Sequence, residues 1–292
     1  MRGFGLVASG LVEQASSHRS RPYILATALQ KGGSTKTSTT IALGGTLARL
    51  GQRVLVVDAD YQSNTTMIML GSIPEPARTL GALIVGAAQR TSPDLRSAVY
   101  EDRWGMGTCL LASDEVSANV AGNVISTLGQ AGETLLADVL DQAAGLFDVV
   151  VIDTCPKLFD SLLKAVLLAA DGVIIPVVPE AFAVSGIQPL LGQVRSYHEQ
   201  NPGLEVVGIV ASRVPTNRRA AKDALGVLDQ VGVPVFKTVI HEATEVNDAH
   251  NAGRPALVGR RSRLTEEYEA LGAEVLAAIT DSITRRESNG WT

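Results

Sequence analysis

Three stretches of the chain are apolar at almost every position: RVLVVDAD (53–60), FDVVVIDT (147–154) and GVIIPVVP (172–179). A strand with one face in water alternates apolar and polar residues, so an unbroken apolar run belongs to a strand covered on both faces. YILATAL (23–29), MGTCLLAS (106–113), LEVVGIVAS (204–212) and PVFKTVI (234–240) read as further strands, and helical patterns cover 37–50, 131–144, 158–170, 182–199 and 217–231. Strands alternating with helices of this length specify an α/β fold, a doubly wound, mostly parallel sheet with helices on both faces. Composition agrees: of 292 residues, 46% are hydrophobic and only 19% charged, against about 25% charged in an average globular chain. Residues 71–105 resist reading, because Pro74, Pro76 and Pro93 interrupt every period.

The formal net charge of −5 means that contact with nucleic acid must come from a local basic patch. Cys109 and Cys155 are far apart and lack metal-ligand spacing, so they read as reduced thiols of a cytoplasmic chain. FGLVASGLV (4–12) is too short to span a bilayer, and EQASSHRSRP (13–22) reads as a polar linker. The expected organisation is an N-terminal extension over 1–21, one domain over 22–285 and a short tail over 286–292. No stretch reaches the length of about 18 uninterrupted apolar residues that a membrane span requires, so the chain is expected to be soluble.

Chemistry concentrates where the first strand meets the first helix, in QKGGSTKTST (30–39). A strand, a glycine loop ending in Lys-Thr and a helix, in that order, are the context of a phosphate-binding loop. Backbone N–H groups of Gly32, Gly33, Ser34, Thr35, Lys36, Thr37 and Ser38 would face phosphate oxygens, aided by the helix dipole. Lys36 would reach the β- and γ-phosphates, and the Thr37 hydroxyl would ligate Mg²⁺. Such a loop needs acidic partners at strand C-termini. Asp153 ends VVVID, in the place of a carboxylate acting on Mg²⁺ directly or through water. Asp58 and Asp60 end VLVVDAD. Asp58 reads either as a metal carboxylate or as a cap for the next helix, and Asp60 as the residue that orients water.

KGGSTKT (31–37), DADYQSNTT (58–66), IDTCP (152–156), PVVPEAFAVSGIQPLL (176–191) and KTVIHEATEVNDAHNAGRPAL (237–257) fall in one order along the chain. That series resembles the ParA/MinD family of deviant Walker A ATPases, over roughly residues 23 to 285. The resemblance implies an Mg²⁺-dependent ATPase that sandwiches ATP in a homodimer, with Lys31 as the signature lysine reaching the partner subunit's nucleotide. Two positions depart from the family pattern. Thr35 stands where glycine usually precedes the second lysine, and His241-Glu242 where relatives commonly have Pro-Arg beside the base.

Three branches of the family are possible outcomes: a DNA-partition or cargo-positioning ATPase, a MinD-like membrane-associated ATPase, and a metabolic ligase or iron–sulfur reductase. Leu264, Tyr268, Leu271, Val275, Leu276, Ile279 and Ile283 form one face of a C-terminal helix whose other face carries Glu266, Glu267, Glu269, Glu274 and Asp281. An anionic lipid surface would repel that acidic face, so the helix is expected to pack on the sheet and no membrane partner is expected. Basic residues gather in two places, Arg213, Arg218, Arg219 and Lys222, then Arg254, Arg260, Arg261 and Arg263. These are the expected contacts to double-stranded DNA of any sequence. The resemblance implies, finally, a nucleoid-associated protein whose hydrolysis is weak and is stimulated by a ParB-type partner or an adaptor.

Overall fold

The computed structural model describes residues 21–30, 35–91, 94–180, 183–259 and 261–288. Among these, seven strands form one sheet: β1 (Tyr23–Thr27), β2 (Val54–Ala59), β3 (Tyr100–Glu101), β4 (Thr108–Leu111), β5 (Val149–Thr154), β6 (Gly172–Val177) and β7 (Glu205–Ala211). Their spatial order is β3-β4-β2-β5-β1-β6-β7, and only the short edge strand β3 runs antiparallel to its neighbour. The helices are α1 (Lys36–Arg49), α2 (Asn64–Leu70), α3 (Leu80–Ala88), α4 (Leu95–Ala98), α5 (Glu115–Leu128), α6 (Gln130–Glu133), α7 (Leu135–Asp141), α8 (Ser161–Ala169), α9 (Ala183–Ser196), α10 (Arg218–Leu228), α11 (Thr244–Asn251) and α12 (Arg263–Ser288).

The apolar runs are buried on both faces, as a doubly wound sheet requires. Tyr23 and Leu25 of β1 enter one core with residues of α1, α2 and α12, while Ile24 and Ala26 enter the other with α3, α5, α7, α8, α9 and α10. α12 lies close on α1, since a Cβ on Gly272 would fall 2.3 Å from the Thr46 methyl. The proline-broken stretch after residue 70 is ordered by local caps: a 3₁₀ turn over Pro76–Arg78 leads into α3, whose N-cap Thr79 accepts from Ala82 N–H. Asp94 caps α4 in the same way through Arg96 N–H.

The strand expected over 234–240 does not form as a continuous element. Its two ends do join the open edge of β7: Phe236 N–H donates to Ile209 O, and Ile240 N–H to Ala211 O. Four residues of this segment thus span two of β7, and the surplus loops outward. Glu274 of α12 takes up the freed amides by accepting from Lys237 N–H and Thr238 N–H, and Glu267 accepts from His241 N–H. Two members of the helix's acidic face therefore brace a wall of the protein.

At the N-terminal end of the sheet, Asp171 accepts from Arg21 Nη1 at 2.9 Å, from Ile24 N–H at 2.7 Å and from Arg286. Arg286 also donates to the carbonyls of Asp171 and Gly203. Arg21 and Arg286 thus meet at one carboxylate, and α12 continues to Ser288.

Candidate nucleotide site

The strand order sets the C-terminal ends of β1, β2 and β5 side by side, with Asp153 in register with Thr27 on one flank and with Asp58 on the other. Above them opens a cavity of about 650 Å³, lined at one end by Thr35, Lys36, Thr37, Ser38 and Asp60. Its other end is walled by Ser212, Arg213, His241, Glu242 and His250. Lys31, Gly32, Gly33 and Ser34 lie outside the described residues.

Thr35 precedes α1 with φ +67°, the left-handed region that glycine enters freely and a threonine enters at a cost of about 1–2 kcal/mol. The loop geometry therefore does call for a glycine-like residue, and the threonine adopts it under strain. Lys36 is buried, and burial pushes its ammonium below the usual lysine range, with Asp153 and Asp60 opposing that fall.

The aspartates are placed differently from one another. Asp153 Oδ2 accepts from the Thr37 hydroxyl and the Thr65 hydroxyl, each at 2.7 Å, while its buried Oδ1 has no partner among the described residues. Burial pushes Asp153 up to about 6. Asp58 is fully used within the chain: Oδ1 accepts from Asp60 N–H, and Oδ2 from both the N–H and the hydroxyl of Thr66 at 2.8 Å. Burial and the neighbouring Asp153 push Asp58 up to about 7. These contacts fasten the Asp58 carboxylate to the first turn of α2 and fix the β2–α2 turn. Asp60 lines the cavity, and burial raises it while Gln62 N–H, Lys36 and Lys157 pull it down.

These residues fit a hard divalent cation. An unpartnered, buried carboxylate oxygen beside a threonine hydroxyl is the oxygen-only donor set that Mg²⁺ takes when it keeps several waters and bridges to phosphate.

Comparison with known proteins bears on the same region. A family model described as an AAA domain matches residues 23–206. The chromosome partitioning protein ParA of Caulobacter vibrioides is 32% identical over 268 residues, which is 88% of this chain and 95% of that protein. The chain belongs to the ParA family. Among solved structures, a Cyanothece McdA variant in complex with ATP superposes with a TM-score of 0.74 at 25% identity, covering 89% of this chain and 98% of that one. Cobyrinic acid a,c-diamide synthase of Mycobacterium smegmatis with bound ADP and magnesium gives 0.72 at 25% identity, covering 92% and 96%. The sheet is that of the P-loop ATPases of the ParA/MinD type.

In this ParA-family chain the two arginine groups do not stay as the sequence grouped them. Arg213 lines the cavity and pairs with Glu242 at 3.1 Å. Lys222 is exposed on α10, which Arg218 and Arg219 open; those two side chains lie outside the described part. In the second group Arg254 donates to Val258 O, Arg261 pairs with Glu266 and Glu269, and Arg263 with Glu267, while Arg260 is outside the described residues. The stretch lacks acids in sequence, but α12 supplies them in space. Among the described residues no helix is long and apolar enough to cross a membrane.

Two site residues escaped the sequence. Thr65 gives no motif signal of its own, although it sits inside the DADYQSNTT segment that carried the resemblance. Ser212, whose buried hydroxyl is unpartnered on the cavity wall, follows an ordinary strand and gives no signal at all.

Proposed function

We propose that this protein is a DNA-partition ATPase that closes into a homodimer on ATP, binds DNA without sequence preference, and is released when a ParB-type partner or adaptor stimulates hydrolysis. The observation that carries this reading is the unpartnered Asp153 Oδ1 beside Thr37, at the lysine-threonine end of the cavity. Thr37 and Asp153 would hold Mg²⁺, which when bound neutralises charge across the β- and γ-phosphate oxygens. Lys36 would hold the β- and γ-phosphates from within the subunit, and Lys31 would reach the nucleotide of the partner. Asp60 would orient the water that attacks the γ-phosphorus, so that the bond to ADP breaks and ADP and inorganic phosphate leave. His241, held by Glu267 through both its N–H and its ring, would border the base.

A dimer doubles the arginines and lysines facing one duplex, and contacts to phosphate carry no sequence information. Mobility shifts with ATP and Mg²⁺ should show similar affinity for unrelated duplexes, and far less with ADP. If about six phosphates are neutralised, affinity falls on the order of a thousandfold between 50 and 200 mM salt, and Arg218→Ala with Arg219→Ala lowers that slope. Absence of ATP-dependent binding to any duplex would overturn the DNA reading. It would favour a second one, an amide-forming ligase, which the likeness to cobyrinic acid a,c-diamide synthase supports.

A further inference from the structure

The loop between β5 and α8 carries a lysine that the site has not yet used. Lys157 follows Pro156, which lines the cavity, and its side chain is exposed. Its ammonium lies 5.0 Å from the centroid of the Tyr61 ring, and Tyr61 follows Asp60. Among the described residues no carboxylate lies within ion-pair distance of it, and its positive charge already acts on Asp60. The ring beneath it is not free to drift. The Tyr61 hydroxyl donates to both oxygens of Asp160, at 3.0 and 2.8 Å, and Asp160 also caps α8 through Leu162 N–H and Leu163 N–H. One carboxylate thereby fixes the Asp60 loop to the Lys157 loop.

We propose that Lys157 is a further cation of the triphosphate site, parked on Tyr61 when no nucleotide is bound and paired with the terminal phosphate when ATP is. The proposal rests on the nucleotide reading above and deepens it. An ammonium on an aromatic face in contact with water is weakly held, whereas a charge-assisted hydrogen bond to a phosphate oxygen is among the stronger polar contacts. A four-carbon stem lets the charge move without moving the backbone. Because ADP lacks the terminal phosphate, Lys157 makes the site discriminate between the two nucleotides. Tyr61 is the positioning residue that keeps the ammonium beside Asp60.

The test is calorimetric titration of the full chain, in Mg²⁺, with ADP and with a non-hydrolysable ATP analogue. Lys157→Ala should weaken the analogue about tenfold, equivalent to about 1.4 kcal/mol, and leave ADP within about twofold. Lys157→Arg should recover most of the loss, because the charge is kept. Tyr61→Phe keeps the ring but frees the loop, and should lower turnover more than analogue affinity. Equal weakening of both nucleotides by Lys157→Ala, or no change in either, overturns the role of Lys157 and leaves the nucleotide site standing. If the unmodified protein binds neither nucleotide, both readings fall.

Discussion

The two ends of the sheet each bury an aspartate, and the contrast between them separates scaffold from site. At the N-terminal end Asp171 receives two guanidinium groups, from Arg21 and Arg286, and the backbone amide of Ile24. At the C-terminal end Asp153 keeps one buried oxygen without a partner among the described residues, and Ser212 keeps a buried hydroxyl in the same condition. Backbone strain follows the same division. Of the five non-glycine residues with positive φ among those described, Thr35, Ser63, Phe159 and Arg213 sit in loops that leave strand C-termini, and only Arg90 lies elsewhere. Unmet bonds and strained loops cost stability, and they persist where the surrounding fold over-determines them and a ligand completes them.

The largest way to break this comparison is Lys36→Ala. Loss of the buried cation should reduce ATP affinity about 100-fold or more in calorimetry, with the melting temperature of the nucleotide-free protein little changed. Retained micromolar affinity would mean that the C-terminal end is not the nucleotide site. Next in size is Asp171→Ala, which strands the inner Arg286 and should cost about 3 kcal/mol in urea unfolding while leaving ATP affinity within about twofold. An equal effect on nucleotide binding would dissolve the division of labour between the ends.

The smallest effect sharpens the contrast through pH. Asp153 is pushed up to about 6 and Asp58 to about 7, from an ordinary value of 3.8. The folded, metal-free state holds these protons longer than the unfolded state, so it gains stability below pH 4 and loses it as pH rises through about 7. Asp153→Asn removes one of the two groups. At pH 8 it should raise the stability of the nucleotide-free protein, by on the order of 1–2 kcal/mol, and flatten the pH profile. Thermal melts from pH 5 to 8 read this directly, and a fall in stability at pH 8 would show that Asp153 is satisfied in solution.

The sheet was legible because β1, β2, β5 and β6 are buried on both faces, which prints itself as unbroken apolar sequence. The stretch over 234–240 is also mostly apolar, yet its amides at 237 and 238 are taken by Glu274 from a helix that comes later in the chain. Apolar content reports burial but not which groups take the hydrogen bonds. Lys36 and Thr37 stood out because a loop that cradles phosphate demands fixed residue types at fixed spacing, and both line the cavity. Thr65 and the Tyr61–Asp160 bond did not, since each joins the segment after β2 to β5 or its following loop across some 90 to 100 residues. The pairing of Arg261 with Glu266 and Glu269 was not legible either, because those acids lie in the helix that follows the basic stretch.

The position of β1 sets a schedule for folding. It is the first strand among the described residues, yet its neighbours in the sheet are β5 and β6, and Tyr23 pairs with Val149. On a ribosome adding about 5–20 residues per second, the strand that carries the phosphate loop waits roughly 6–25 s before either neighbour exists. Throughout that interval YILAT is a short apolar segment with both edges open, the kind that chaperones bind or that pairs with another chain. Until β5 is made, the loop after β1 also lacks Asp153. Nascent chains cut short before residue 149 should therefore fail to retain ATP, while chains that have cleared β6 and β7 begin to do so.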